Sequence, residues 1–432
     1  MSEYRRRPRM LSPLREHLRD TFWFAPVAAM AGVFLLWWVC SELDEAIVQS
    51  LQDAGEHEAV RDLIGIAEDA KTIVTTISSA MMTFIGVVFS ISLVAVQMAS
   101  GQFSPRVVRI FIRSRITKAT FSVFLATFLL SLLVLTSYDA RTDPRLVSTV
   151  PLVQSLLSLI MVLLSLLLFV AYVNSTLRLM RVGFVVERIS SEAFRVLLKT
   201  PRYEAGAAGD LGEPDEYLMH RGRAGVVRDV NIALLVRAAR RHGVVLRLVP
   251  RIGDFVVPGT PVLAVHGGRL RRRLDTSVYV GVERTFHQDL GFGLRQLADI
   301  GLRALSPAVN DPTTAVQCLD RIVQFLAALA NRPLGAVGHL DGEGVVRLVQ
   351  DVPGWTDLVD LGFTEIRGCA AGNPQVSRRM LAALDDLLSL VPEERRAPLL
   401  RHRALLVELV ERTAVEAAER AFALEADRQG IG

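Results

Sequence analysis

Cysteine is scarce in this chain. Cys40, Cys318 and Cys369 are the full set. An odd number at such wide spacing excludes a disulfide framework and a CxxC metal site, so all three read as reduced, buried thiols filling small apolar positions. The motifs HExxH, GxSxG, the Walker loop and GxGxxG are also missing. The sequence therefore implies no cofactor, no metal ligands and no catalytic residues, and the expectation is that the protein is not an enzyme. The formal net charge of +4 is too small to argue for nucleic acid. The most telling absence lies in four apolar segments, roughly 22–41, 71–99, 119–138 and 150–177, whose interiors hold no Asp, Glu, Lys, Arg or His. Proton relays, ion-coupled carriers and voltage sensors keep ionisable groups at membrane depth. A hydroxyl-lined passive pore needs none, and neither does a purely structural bundle.

What is present is apolar surface in long runs. Hydrophobic residues make up 51% of the chain and the mean hydropathy is +0.34, which predicts a membrane part joined to a sizeable aqueous part. Each of the four segments reaches the roughly 20 helical residues that a bilayer core of about 30 Å requires. The second and fourth are longer and should tilt or project. The basic N-terminus followed by Phe22–Cys40 imitates a signal peptide. Yet the run is too long for an h-region and ends in Trp37 and Trp38 without a cleavage site, so it reads as a retained span.

Arginine placement orients the spans. Arg5, Arg6, Arg7, Arg9, Arg15 and Arg19 precede the first. Arg106, Arg109, Arg113, Arg115 and Lys118 separate the second and third, and Arg178, Arg181, Arg188 and Arg195 follow the fourth. These groups share one side if the spans alternate, which predicts N-in, C-in topology and a cytoplasmic region after about 178. The connection between the first two spans is acidic, with Glu42, Asp44, Glu45, Asp53, Glu56, Glu58, Asp62, Glu68 and Asp69. Its apolar spacing predicts one or two short helices on the outer face.

The second span carries hydroxyls at a helical interval. Thr72, Thr76, Ser79, Thr83, Gly86, Ser90 and Gln97 recur at steps of three, four or seven, and only Leu93 interrupts them. They are the candidate pore-lining residues. A stripe of this kind lines either a watery path or a tight helix seam. The fourth span has its own series in Gln154, Ser158, Ser165 and Tyr172, so the two stripes should face each other or a shared cavity. Between spans two and three, Gly101 and Pro105 break the helix. Arg106, Arg109 and Arg113 then recur at helical spacing, as candidate contacts to lipid phosphates on a basic amphipathic helix.

The aqueous region divides by composition. Residues 1–200 form the transmembrane domain and its helical continuation. Residues 201–217, rich in Gly, Pro and Ala, read as a linker. Residues 218–283 are Val-rich and strand-like, with a helical turn at ALLVRAARRH. The segment from Gly253 to Val262 resembles the GD-x-V-x-x-G-x-P turn of biotinyl- and lipoyl-type barrel domains. Those carriers need a modifiable lysine, and 201–283 contains none, so a barrel-like subdomain is expected without the carrier function.

Residues 284–432 read as mainly helical. Gln288, Arg295 and Asp299 share a sector of one helix, Ser306 and Pro307 end it, and Asn310, Asp311 and Pro312 start the next with Asp311 as N-cap. His287, Asp289 and Asp311 are the acid–base candidates of 284–331, and a capped helix–turn–helix accounts for them better than catalysis. EGVVRLVQDV at 343–352 reads as a strand pair or hairpin arm, and Glu393–Gln429 as one long helix with Glu408/Arg412 and Glu416/Arg420 pairs. The fold class expected is thus an α-helical membrane protein: four transmembrane helices, then a cytoplasmic α+β region with a small β-barrel-like subdomain and a helical C-terminal part.

Two stretches, ASGQFSPRVVRIF at 99–111 and DLGFGLRQLADIGLRALSPAVNDPTTAVQCLDRI at 289–322, together with the four-span layout, resemble the domain of unknown function 2254 family of predicted bacterial membrane proteins. The resemblance implies the inner membrane of a bacterium and brings no catalytic or ligand-binding residues. Two functional readings remain open. One is a homo-oligomeric ion channel lined by the second span, with a cytoplasmic domain that assembles and gates it. The other is a bilayer-anchored scaffold or regulator whose cytoplasmic domain binds a protein partner or small ligand.

Overall fold

The computed structural model describes residues 21–102, 114–138, 143–199, 211–270 and 274–429. Arg106, Arg109 and Arg113 fall outside these residues, as does most of the stretch read as a linker. The chain separates into two compact units, one holding the apolar helices and the other formed mainly by Val182–Gly432.

The first unit consists of four helices long and apolar enough to cross a membrane. These are α1 (Phe24–Asp53), α2 (His57–Gln102), α3 (Arg115–Thr136) and α4 (Leu152–Leu179). At 1.5 Å per residue α2 is about 69 Å long, more than twice a bilayer core. The excess lies at the acidic end. The expected short surface helices are not there: α1 runs on to Asp53, a turn occupies 54–56, and α2 begins at His57. A second apolar core explains the continuation, because Val48, Val60, Ala67, Val147 and Val150 bury one another where this hairpin meets the loop before α4. Gln52 Nε2 fastens that loop by donating to the carbonyls of Pro144 (2.9 Å) and Val147 (3.1 Å).

The second unit opens with α5 (Val182–Lys199). The strands β1 (Glu216–Met219), β2 (Gly225–Val230), β3 (Val245–Leu248), β4 (Phe255–Val256), β5 (Pro261–His266) and β6 (Val278–Gly281) follow, with α6 (Ile232–His242) between β2 and β3. Then come α7 (Leu290–Ala304), α8 (Pro312–Leu329), β7 (Ala336–Leu340), β8 (Val346–Asp351), α9 (Trp355–Ala370), α10 (Pro374–Leu390), α11 (Arg396–Thr413) and α12 (Ala417–Leu424). The strands form a five-stranded sheet ordered β1-β5-β3-β8-β7 and a three-stranded sheet ordered β4-β2-β6. Both sheets are open at their edges, and no barrel closes among the described residues. β3 pairs with β8 in parallel, so the larger sheet draws on both the Val-rich stretch and the hairpin at 336–351. The turn glycines do what the sequence asks of them: Gly253 and Gly259 adopt φ of +100° and +89°, which a side chain resists.

Two further expectations need correction. The helical turn after β2 is a complete helix, started by the Asn231 side chain accepting from Leu234 N (3.0 Å) and ended by Gly243 at φ +68°. The long terminal helix is broken. α11 stops at Thr413, α12 starts at Ala417, and Val415 between them is 89% exposed.

Candidate functional site

The hydroxyl stripe of α2 is the feature with the clearest functional geometry. Val74, Ile77, Ser78, Met81, Val88 and Ala95 are buried against the rest of the bundle. Thr72, Thr76, Ser79, Thr83, Gly86, Ser90 and Gln97 are all exposed. At 3.6 residues per turn the two sets lie about half a turn apart, so the stripe is the face pointing directly away from its own bundle. Apolar flanks border it. Ile73, Val87 and Val94 lie on one side and Met82, Phe89 and Leu93 on the other, all exposed.

The hydroxyls turn their protons inward. Thr76 donates to Thr72 O (2.9 Å), Ser79 to Thr75 O (3.1 Å), Thr83 to Ser79 O (3.5 Å) and Ser90 to Gly86 O (2.9 Å). Each donor is thereby satisfied without a partner helix, and each oxygen keeps its lone pairs on the outward side.

The polar series of α4 comes to this stripe at one place, a small cavity lined by Thr76 and Ser165 among apolar side chains. Gln154, Ser158, Ser165 and Tyr172 are fully or almost fully buried inside the bundle. Ser165 Oγ lies 3.1 Å from Thr127 Oγ1 of α3. The Tyr172 hydroxyl lies 2.5 Å from Ser92 Oγ and donates to Val88 O at 3.1 Å. This is an internal packing seam. The stripes therefore share that cavity and otherwise do not face each other, because two helices with the same periodicity present their polar sides to different surroundings, and spacing alone does not say which.

In the second unit the polar cluster around α7 resolves into separate fastenings. Gln288, at φ +58°, precedes the helix. Its side chain imitates a strand neighbour, donating to Val230 O and accepting from Val230 N, both at 3.1 Å. Asp289 N-caps α7 through Phe292 N (3.0 Å) and is gripped by Arg284 through two bonds of 2.9 and 3.0 Å. Burial pushes its carboxyl up against the pull of that guanidinium. Arg295 reaches Asp299 and also Glu365 of α9 (2.5 Å). Ser306 Oγ donates to Arg303 O at 2.7 Å, and Asp311 N returns to Ala304 O at 2.7 Å with Asn310 at φ +47°. Asp311 then accepts from Thr314 N (3.0 Å), and Pro312 occupies the first turn of α8. His287 Nε2 stands 3.5 Å from Asp229 Oδ1. The acid–base candidates His287, Asp289 and Asp311 thus each face a different partner. Among the described residues no group of three or more His, Cys, Asp or Glu is gathered to hold a metal ion. Cys40 and Cys318 are buried as expected, whereas Cys369 is exposed.

Three groups that matter were not visible in the sequence as such. Asp44, counted there as part of an acidic loop, is 1% exposed and receives Val153 N (2.8 Å) and Gln154 N (3.3 Å). It caps α4 from α1, where the local cap residue Pro151 has no side-chain acceptor. Arg395 caps the other end of a helix, donating to Leu329 O and Ala330 O at the close of α8. His402, 1% exposed, joins α11 to α9 through Asp360 and Arg367. All three act across long sequence separations, which no local pattern reports.

A family model described as "Predicted membrane protein (DUF2254)" matches residues 19–386. An uncharacterized protein of Mycobacterium bovis is 29% identical over 391 residues, covering 84% of this chain and 71% of its own length. An uncharacterized protein of Mycobacterium tuberculosis matches to the same extent. No solved structure matches.

Proposed function

Because this chain belongs to the DUF2254 family of predicted membrane proteins, we propose that it is a bacterial inner-membrane protein whose copies assemble around the hydroxyl face of α2 to form an ion-conducting pore. The single observation that carries this reading is the direction of the stripe: seven small or polar positions turned away from their own bundle, between two apolar flanks. Lipid gives such a face nothing to bond. Neighbouring copies packed on the flanks would leave the stripe toward a common axis. With their protons donated to the backbone, the hydroxyls present oxygen lone pairs to that axis, which favours cations and water over anions. In this reading the N- and C-termini are cytoplasmic, and the second unit assembles and gates the pore. No catalytic step is assigned to it.

One observation favours a second reading, an oligomeric scaffold that anchors a cytoplasmic partner-binding unit. The donors on the stripe are already satisfied within α2, so the face also suits a dry seam between copies. Single-channel recording of purified protein in planar bilayers decides between them. Discrete conductance in the wild type, abolished in Thr83→Arg with the oligomer intact, is expected of the pore. Silence from well-folded oligomers under voltage and tension overturns it in favour of the scaffold.

A further inference from the structure

The inside of the helical bundle holds a second polar feature, independent of the outward face of α2. Gln154 and Ser158 stand one turn apart on α4, both at 0% exposure. Among the described residues of this unit, they and His57 carry the buried side-chain polar atoms that have no hydrogen-bond partner. For Gln154 that includes both Nε2 and Oε1. The Asp44 carboxylate lies beside this residue, accepting the backbone N–H of Gln154 at 3.3 Å. The Gln154 amide and the Ser158 hydroxyl, held this way in an apolar bundle, each forgo a hydrogen bond if left dry. Buried polar groups without a protein partner are where a bridging molecule belongs.

The donor set selects that molecule. Nε2 offers protons, Oε1 and the Asp44 carboxylate accept them, and Ser158 Oγ does either. An anion would face the carboxylate. A cation would face the Nε2 protons and the positive end of α4, whose first amides point at Asp44. A small neutral donor–acceptor fits all four groups. We propose that the bundle binds water at this point, bridging the Gln154 amide to Asp44 and to Ser158.

The remaining polar side chains of the seam limit how far this hydration extends. Ser131 donates to Phe128 O (2.8 Å), Thr127 to Val123 O (2.8 Å), Ser165 to Met161 O (2.8 Å) and Tyr172 to Val88 O (3.1 Å). Each is satisfied by protein. The water is therefore an enclosed structural site at the acidic end and not a path through a single bundle.

Water-edited solid-state NMR of the full-length protein in proteoliposomes tests the site directly. The Gln154 side-chain amide signal is identified by its loss in Gln154→Met. Rapid transfer of water magnetisation to those protons, slowed several-fold in Ser158→Ala, is the expected result. Transfer as slow as that to the backbone amide of Leu130 overturns the proposal. Thermal unfolding gives a second readout with opposite signs. Gln154→Met keeps the volume and removes both polar atoms, so a dry amide predicts a higher Tm and a hydrated one a lower Tm. Should that variant not fold, the sign for Ser158→Ala decides in the same way.

Discussion

His402 is buried, and both of its ring nitrogens are committed. Nε2 donates to Asp360 Oδ1 at 2.8 Å, and Nδ1 accepts from Arg367 Nη1 at 2.9 Å. Only the neutral imidazole can do both. A second proton on Nδ1 would displace Arg367 and place a charge beside Arg401 as well. Burial pushes the imidazole below its ordinary value, Arg367 and Arg401 add to that, and Asp360 opposes it. The sign follows. An unfolded imidazole takes its proton near pH 6.5, while the folded one still refuses it. Stability from this group is thus complete above that pH and is lost as pH falls through 6.5 toward the depressed folded value. Unfolding of the wild type in lipid nanodiscs should become easier between pH 7 and pH 5, and His402→Gln should flatten that slope. An unchanged slope would remove His402 from the account.

Asp44 acts at the same scale by a different route. It supplies the acceptors that the first turn of α4 cannot obtain from Pro151. Asp44→Ala should destabilise the bundle by about 1–3 kcal/mol, and Asp44→Asn by less because one acceptor oxygen remains. Unfolding of the purified variants by denaturing detergent measures the difference.

At the scale of elements, what was legible in the sequence is what depends on neighbouring residues. The four apolar runs, the Asp311–Pro312 start of α8 and the positive-φ glycines of the 253–259 turn are local, and each stands where its pattern places it. What was not legible depends on distant partners. The extension of α1 and α2 rests on Val147 and Val150, about 80 to 100 residues away. The break at 414–416 has no Pro or Gly to announce it. There Arg420 Nη2 donates to the freed Ala414 O at 3.0 Å, and Arg378 holds α12 with its guanidinium 4.0 Å from the Phe422 ring centroid. The barrel expectation came from a turn motif that is locally correct and says nothing of which strands pair.

Helix contact offers the sharpest test at this scale. A Cβ placed on Gly293 of α7 would lie 2.4 Å from the Ala193 Cβ of α5. Ala193 is a helix residue and cannot swing aside. Gly293→Ala should therefore cost about 1–3 kcal/mol through overpacking, despite the better helix propensity of alanine. Pairing it with Ala193→Gly should recover much of that loss, which a thermal-unfolding cycle would report.

For the whole molecule, side and assembly can be read from two thiol experiments. Cys369 is exposed while Cys40 and Cys318 are buried, so an impermeant maleimide reports on the second unit alone. With the C-terminal unit in the cytoplasm, intact spheroplasts should leave Cys369 unlabelled and permeabilised ones should label it. Labelling in intact cells would reverse the topology inferred from the arginines. Assembly needs a face-specific probe. In a Cys369→Ser background, Thr83→Cys sits on the outward stripe and Ile77→Cys on the buried face. If copies meet along the stripe itself, oxidation in the membrane should cross-link the first variant into dimers and leave the second monomeric. Equal yields from both would mean random collision. Cross-linking at Met82→Cys or Val87→Cys but not at Thr83 would place the apolar flanks at the contact and the stripe on the axis between copies. That last pattern separates a pore from a seam, because a seam brings position 83 of neighbouring copies together while a water-filled axis holds them apart.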